Sequence, residues 1–227
     1  MNRIHASATL AFALISQTPL THAAFTESFY ARFNNNEFVS TLRNPATDSF
    51  DDLIAGNAAD SLSRHVGDYD YTVSANGGLF VLGQSFGSPY DPVLALSTMA
   101  PAASMTFSGF TGNASAIGMF IFATNLDGTL ASTNPLSFTA TDSLGASFGF
   151  DLQPVMGLSS EGIFIGLKSD SKIVSFTVSA SPSSGAFVSV DGLVMGIAPV
   201  PEPATVLQLL AGLGIVGLVS VKRTALR

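Results

Sequence analysis

Asp48, Asp51 and Asp52 fall within five residues of one another, and Asp191 stands far downstream in an otherwise uncharged run. Carboxylate oxygens are hard ligands, and several gathered from separate segments suit calcium. Asp51, Asp52 and Asp191 are therefore candidate calcium ligands, provided that the first and last strands run side by side. Asp68 and Asp70 in GDYDY and Asp127 in NLDG are loop candidates for the same role. The plainer alternative is that these aspartates form turns, which Asp favours without any metal. No twelve-residue EF-hand loop is present, and nothing else in the chain requires a cofactor.

A second constellation is aromatic. Tyr69, Tyr71 and Tyr90 are flanked by Asp68, Asp70 and Asp91. Exposed ring faces attract the apolar C–H groups of sugars, so these three tyrosines are candidate carbohydrate contacts. Tyr71 also alternates in phase with Val73, which fits a core position equally well. Paired acids beside aromatics could hydrolyse glycosides, yet the chain has no Trp and its four Tyr form no cluster beyond Tyr69 and Tyr71.

Other motifs fail on context. Gly83-Gln84-Ser85-Phe86-Gly87 spells a nucleophile elbow, but Pro89 and Pro92 follow where a helix is needed, and His65 lies upstream of the serine. Gly212 to Gly217 spells G-x-G-x-x-G with neither a strand before it nor an acidic ribose partner after it. Ser169 and Lys172 have S-x-x-K spacing on a turn, with no helix to align them. With no cysteine, thiol catalysis and thiolate metal sites are excluded, and His65, the one histidine after residue 23, makes a poor zinc site. No catalytic residue is assigned; serine and glycoside hydrolases remain lesser alternatives to a non-catalytic role.

These residues sit among short runs rich in Val, Ile, Phe and Thr, separated by Gly, Asn, Asp, Ser and Pro: SFDDLI, YDYTVSA, GLFVLG, SMTFSGF, AIGMFIFAT, LSFTAT, SFGFDL, GIFIGLK, KIVSFTVSA and AFVSVDGLVMG. In KIVSFTVSA, Val174, Phe176 and Val178 oppose Ser175, Thr177 and Ser179. In LSFTAT, Leu136, Phe138 and Ala140 oppose Ser137, Thr139 and Thr141. Period-two patterning with polar outer positions predicts sheets with one wet face. AIGMFIFAT is apolar on both faces and reads as a central strand. Phe29 and Phe33, like Phe38 and Leu42, are spaced four apart, which predicts one or two short N-terminal helices broken near Asn34–Asn36. The expected fold is all-β: an antiparallel, jelly-roll-like β-sandwich preceded by a short helical segment.

The two ends belong to transport. Residues 1–23 combine a short basic start, an apolar run from Ala6 to Ile15 and small residues at Thr21 and Ala23, the pattern of a signal peptide cleaved after Ala23. Residues 24–199 then form the ectodomain, and 200–227 a C-terminal device. Ala204 to Val221, interrupted by Gln208, would make a helix of ~27 Å, close to the hydrocarbon thickness. Lys222, Arg223 and Arg227 supply a basic stop on the cytoplasmic side. Pro201 and Pro203 fix where the span begins. Between the ends, residues 25–200 carry five basic and fifteen acidic residues, which leaves no patch for nucleic acid.

Pro201-Glu202-Pro203, an apolar span and a basic end together resemble the PEP-CTERM sorting signal of Gram-negative bacteria that make extracellular polymeric substance. That resemblance implies Pro201, Glu202 and Pro203 as the processing motif and an exosortase-like enzyme as partner. It implies transient anchoring in the cytoplasmic membrane, then a place on the cell surface or in the matrix beside exopolysaccharide. The ectodomain is similar to the β-sandwich ectodomains of many such proteins. A dedicated carbohydrate-binding module is the alternative function.

Overall fold

The computed structural model describes residues 25–31, 35–83, 94–131, 136–152 and 163–199. The elements are β1 (Phe25–Ala31), α1 (Asn36–Ser40), β2 (Arg43–Asp48), β3 (Ala58–Val66), β4 (Tyr69–Leu82), β5 (Ala95–Thr98), β6 (Ser104–Ser108), β7 (Ala116–Thr124), β8 (Leu136–Asp142), β9 (Ser147–Leu152), β10 (Ile163–Ser169), β11 (Ile173–Ala180) and β12 (Phe187–Ile197). Hydrogen bonding runs through one curled antiparallel sheet in the order β1-β10-β7-β12-β5-β4-β6-β11-β8-β9. β2 adds to β12 and β3 to β4. The curl brings β11 over β7 and β12, so the sheet closes on itself as a sandwich. The all-β expectation holds.

Alternation explains the core. Leu136, Phe138 and Ala140 are buried while Ser137, Thr139 and Thr141 reach solvent, as the pattern predicts. β7 is buried along its whole length between β10 and β12, which makes it the central strand. In β11 a register shift between Ile173 and Ser175 turns Val174 outward at 37% exposure, and Ile173 takes the core place expected of it. YDYTVSA and GLFVLG are one strand, not two; Gly77 and Gly78, at φ of 91° and 96°, let β4 pass from β6 to β5.

The N-terminal helical expectation is half right. Residues 25–31 form β1 against β10, and among the described residues only Asn36–Ser40 is helical. At Phe29 strand pairing prevails over the four-residue spacing, because β10 offers a ladder that five or six helical residues cannot match; Phe33 lies outside the described residues. α1 covers the outer face of the central strands. Phe38, fully buried, lies over Gly118 and Gly166, which face each other across β7 and β10. A Cβ at Gly118 would lie 2.9 Å from the Phe38 ring, and one at Gly166 would overlap it. These glycines form the socket. Phe120, Phe122, Phe164 and Val194 belong to the same second, smaller cluster.

Candidate functional site

The expected first strand, SFDDLI, is a turn. β2 ends at Asp48, and Phe50 follows at φ 60°, a left-handed conformation rare for an aromatic residue. Asp48 stabilises it: its Oδ1 accepts the Phe50 N–H at 3.0 Å. The same carboxylate accepts Arg64 Nε at 2.9 Å, Arg64 Nη2 at 2.8 Å and the Tyr71 hydroxyl at 2.7 Å. Arg64 turns its other edge to Asp52, with Nη1 and Nη2 donating at 2.9 and 2.6 Å. One guanidinium thus clamps two carboxylates, and its ring neighbour is Phe50, 6.0 Å below. Hydrogen bonds donated by Arg64 hold Asp52 below its ordinary range, and donating to Asp48 and Asp52 raises Arg64. Burial, then Asp48, pushes the Tyr71 hydroxyl up.

This network corrects the tyrosine reading. Tyr69 and Tyr71 are 1% and 2% exposed, so neither ring offers a face to a sugar. Tyr69 donates to the Asn44 carbonyl, and Tyr71 stacks on Phe110. The alternation with Val73 was the better guide. Tyr90 lies outside the described residues. Arg64 itself carried a signal that spacing rules pass over: it is the only cation between Arg43 and Lys168, in a strongly acidic stretch.

β2 and β12 do run side by side, with Leu193 opposite Asp48. Asp191 pairs with Phe120 of β7 and so sits on the outer, aromatic face. One extra residue then enters β12 before Val194 meets Gly118, with Gly192 at φ 59°, the left-handed glycine of a β-bulge. Asp191 is 7% exposed. Burial pushes its carboxyl up to about 7, the Gly192 N–H opposes this, and the charge of Asp51 adds to it. The fold therefore brings Asp51 to Asp191 and gives Asp52 to Arg64. Two carboxylates remain of the expected three, against the six to eight oxygens that calcium takes. Among the described residues no three His, Cys, Asp or Glu side chains are gathered for a metal.

The other candidates resolve into turns. Asp127 accepts the backbone N–H and hydroxyl of Thr129, which lower its carboxyl. Asp142, which spacing did not single out, is buried in the β8–β9 turn. Burial opposes its ionisation, but hydrogen bonds from Ser171, Ala146, Leu144 and Ser169 outweigh burial and lower it. His65 and Asp70 form an exposed pair across the β3–β4 hairpin, Nδ1 to Oδ1 at 2.7 Å. Ser85 lies outside the described residues.

The last strand leads directly to the transport device. β12 ends at Ile197; the Ala198 N–H donates to Ser115 Oγ at 2.9 Å, and the Ser115 N–H to the Gly196 carbonyl at 3.0 Å. Residues 199–223 match the family model of the PEP-CTERM protein-sorting motif. The chain carries a PEP-CTERM sorting motif. The PEP-CTERM match begins two residues after β12 stops. Pro201, Glu202, Pro203, the expected span at 204–221 and Lys222, Arg223 and Arg227 lie outside the described residues. Among the described residues no helix is long and apolar enough to cross a membrane.

No curated protein matches the chain. Among solved structures, a family 29 carbohydrate-binding module is 11% identical, with 67% of this chain and 98% of that one covered and a TM-score of 0.36. The CBM22-1 xylan-binding domain from Paenibacillus barcinonensis Xyn10C is 12% identical over 65% and 99%, with a TM-score of 0.36. CsCBM6-3 from Clostridium stercorarium, in complex with cellobiose, is 14% identical over 61% and 93%, with a TM-score of 0.32. At TM-scores this low, the sugars those proteins bind remain properties of those proteins.

Proposed function

We propose that this is an exported, non-catalytic protein of the cell surface or extracellular matrix, delivered by its C-terminal signal and trimmed there by an exosortase-like enzyme. The supporting observation is the sorting motif at 199–223, set two residues beyond the last strand of the sandwich. In this reading the signal peptide is removed after Ala23, and Ala204–Val221 holds the folded domain at the cytoplasmic membrane. The enzyme then cuts at or near Pro201–Pro203. The close join between β12 and the motif keeps the cleavage point near the membrane surface, where a membrane-embedded peptidase can reach it.

The chemistry of the described residues fits a scaffold. Arg64, Asp48, Asp52 and Tyr71 are saturated by one another, and Tyr69 and Tyr71 are buried. Mass spectrometry of intact protein recovered outside the cells tests the reading. The expected mass lacks both ends, near Ala23 and near Pro201–Pro203. Extracellular protein that keeps Arg227, in the same amount as a trimmed form, overturns it.

A further inference from the structure

The outward positions of β6, β11, β8 and β9 form rows of hydroxyls. Register places Ser104 opposite Ser179, Ser179 opposite Ser137, and Ser137 opposite Asp151. The next row is Thr106, Thr177 and Thr139, and Ser74 of β4 extends it. A third row runs through Ser108, Ser175, Thr141 and Ser147. Opposite residues of an antiparallel pair share a face, so the three rows stand on one outer surface. Their phase is fixed by the core, since Phe138, Phe176, Val178 and Phe107 occupy the alternate inward positions.

Two of these hydroxyl pairs bond each other: Thr106 with Thr177 at 2.9 Å, and Thr141 with Ser147 at 3.1 Å. The first row differs. Ser104, Ser179 and Ser137 have no side-chain hydrogen bond among the described residues, and all three are half-buried. They floor a groove of about 500 Å³ whose lining includes Asn76, Asp151 and Pro182. At ~4.8 Å between strands, the row from Ser104 to Asp151 spans ~14 Å, the length of a short oligosaccharide.

We infer that this groove binds a neutral, extended polysaccharide chain, laid across the strands from Ser104 to Asp151. The lining supplies what sugar hydroxyls need: donor–acceptor hydroxyls, one amide that does both, and one carboxylate that only accepts. Among the described residues no Lys or Arg lines the groove, and Asp151 stands in it, so an anionic polymer finds repulsion and no counter-charge. Among the described residues no aromatic or long apolar side chain beyond Leu136 lines it either, which disfavours a lipid or an apolar peptide. Serines in strands lose little side-chain entropy on binding, and Pro182 adds a rigid apolar contact for the C–H face. The inference deepens the matrix reading by naming what the domain would hold there.

The test uses the full chain in non-ionic detergent, run in native gels cast with soluble β-glucan, mannan, xylan or alginate. Retardation by at least one of the three neutral polymers is expected. Ser179→Arg, which puts a long cation across the floor, lowers that affinity at least tenfold with an unchanged melting temperature. Ser143→Arg, on the exposed β8–β9 turn, leaves it unchanged. Asp151→Asn, on an exposed edge, decides the case if Ser179→Arg proves unstable: it weakens retardation several-fold. No retardation by any neutral polymer, retardation by alginate alone, or full retention by both groove variants overturns the inference. Terminal masses of the extracellular protein are read separately, so the sorting proposal and the groove fail independently.

Discussion

Asp48 and Asp191 lie on adjacent strands, 4% and 7% exposed, yet one is saturated and the other nearly bare. Asp48 faces the interior and accepts four hydrogen bonds, three of them from Arg64 and Tyr71. Asp191 faces the aromatic outer cluster, receives the N–H of the next residue, and meets the charge of Asp51. The difference shows that equal burial does not give two carboxylates equal hydrogen bonding, and a bulge one residue long is enough to separate the two cases. The turn that Asp48 pins also carries Asp51 to Asp191, so the saturated site positions the source of strain at the bare one.

The comparison breaks most sharply at Arg64. Arg64→Met removes the clamp but leaves Asp48 buried, at an expected loss of roughly 3–5 kcal/mol in urea unfolding. A loss under about 1 kcal/mol would mean that Asp48 finds water or another donor. Asp191→Asn sharpens the other side. Between about pH 3.8 and 7 the folded chain holds a proton at Asp191 that the unfolded chain has released. Stability from this group is therefore full at low pH and falls as pH rises through that window, by about 4 kcal/mol at most. Measured as the difference from the parent protein, Asp191→Asn should gain stability steadily across the same window and level off above it. Asp52 and Asp142, whose carboxyls are lowered, lose their contributions as pH falls and cancel in that difference. The smallest effect belongs to Tyr71→Phe, which deletes one of the four donors to Asp48 and should cost about 1–2 kcal/mol with little change in pH slope.

Much of this was readable in the chain. Period two in LSFTAT and the unbroken apolarity of AIGMFIFAT gave the buried faces and the central strand, because a strand's side chains alternate whatever it pairs with. Local spacing failed where pairing or a turn overruled it. The spacing of Phe29 with Phe33 suggested a helix and Phe29 pairs in a strand, and SFDDLI suggested a strand and is a turn around a left-handed Phe50. Tyr69 and Tyr71, beside aspartates, fitted a sugar contact, and Tyr71 in phase with Val73 fitted the core equally well; both are buried.

By itself the sequence determined the sheet-forming texture, the wet and dry faces of its strands and the sorting motif at 199–223, since each depends on residues close in the chain. Only tertiary structure decided which aspartate meets which partner, where Arg64 reaches, and that Ser104, Ser179, Ser137 and Asp151 form one row. Those contacts join segments far apart in sequence, and their register follows from the closing of the whole curled sheet.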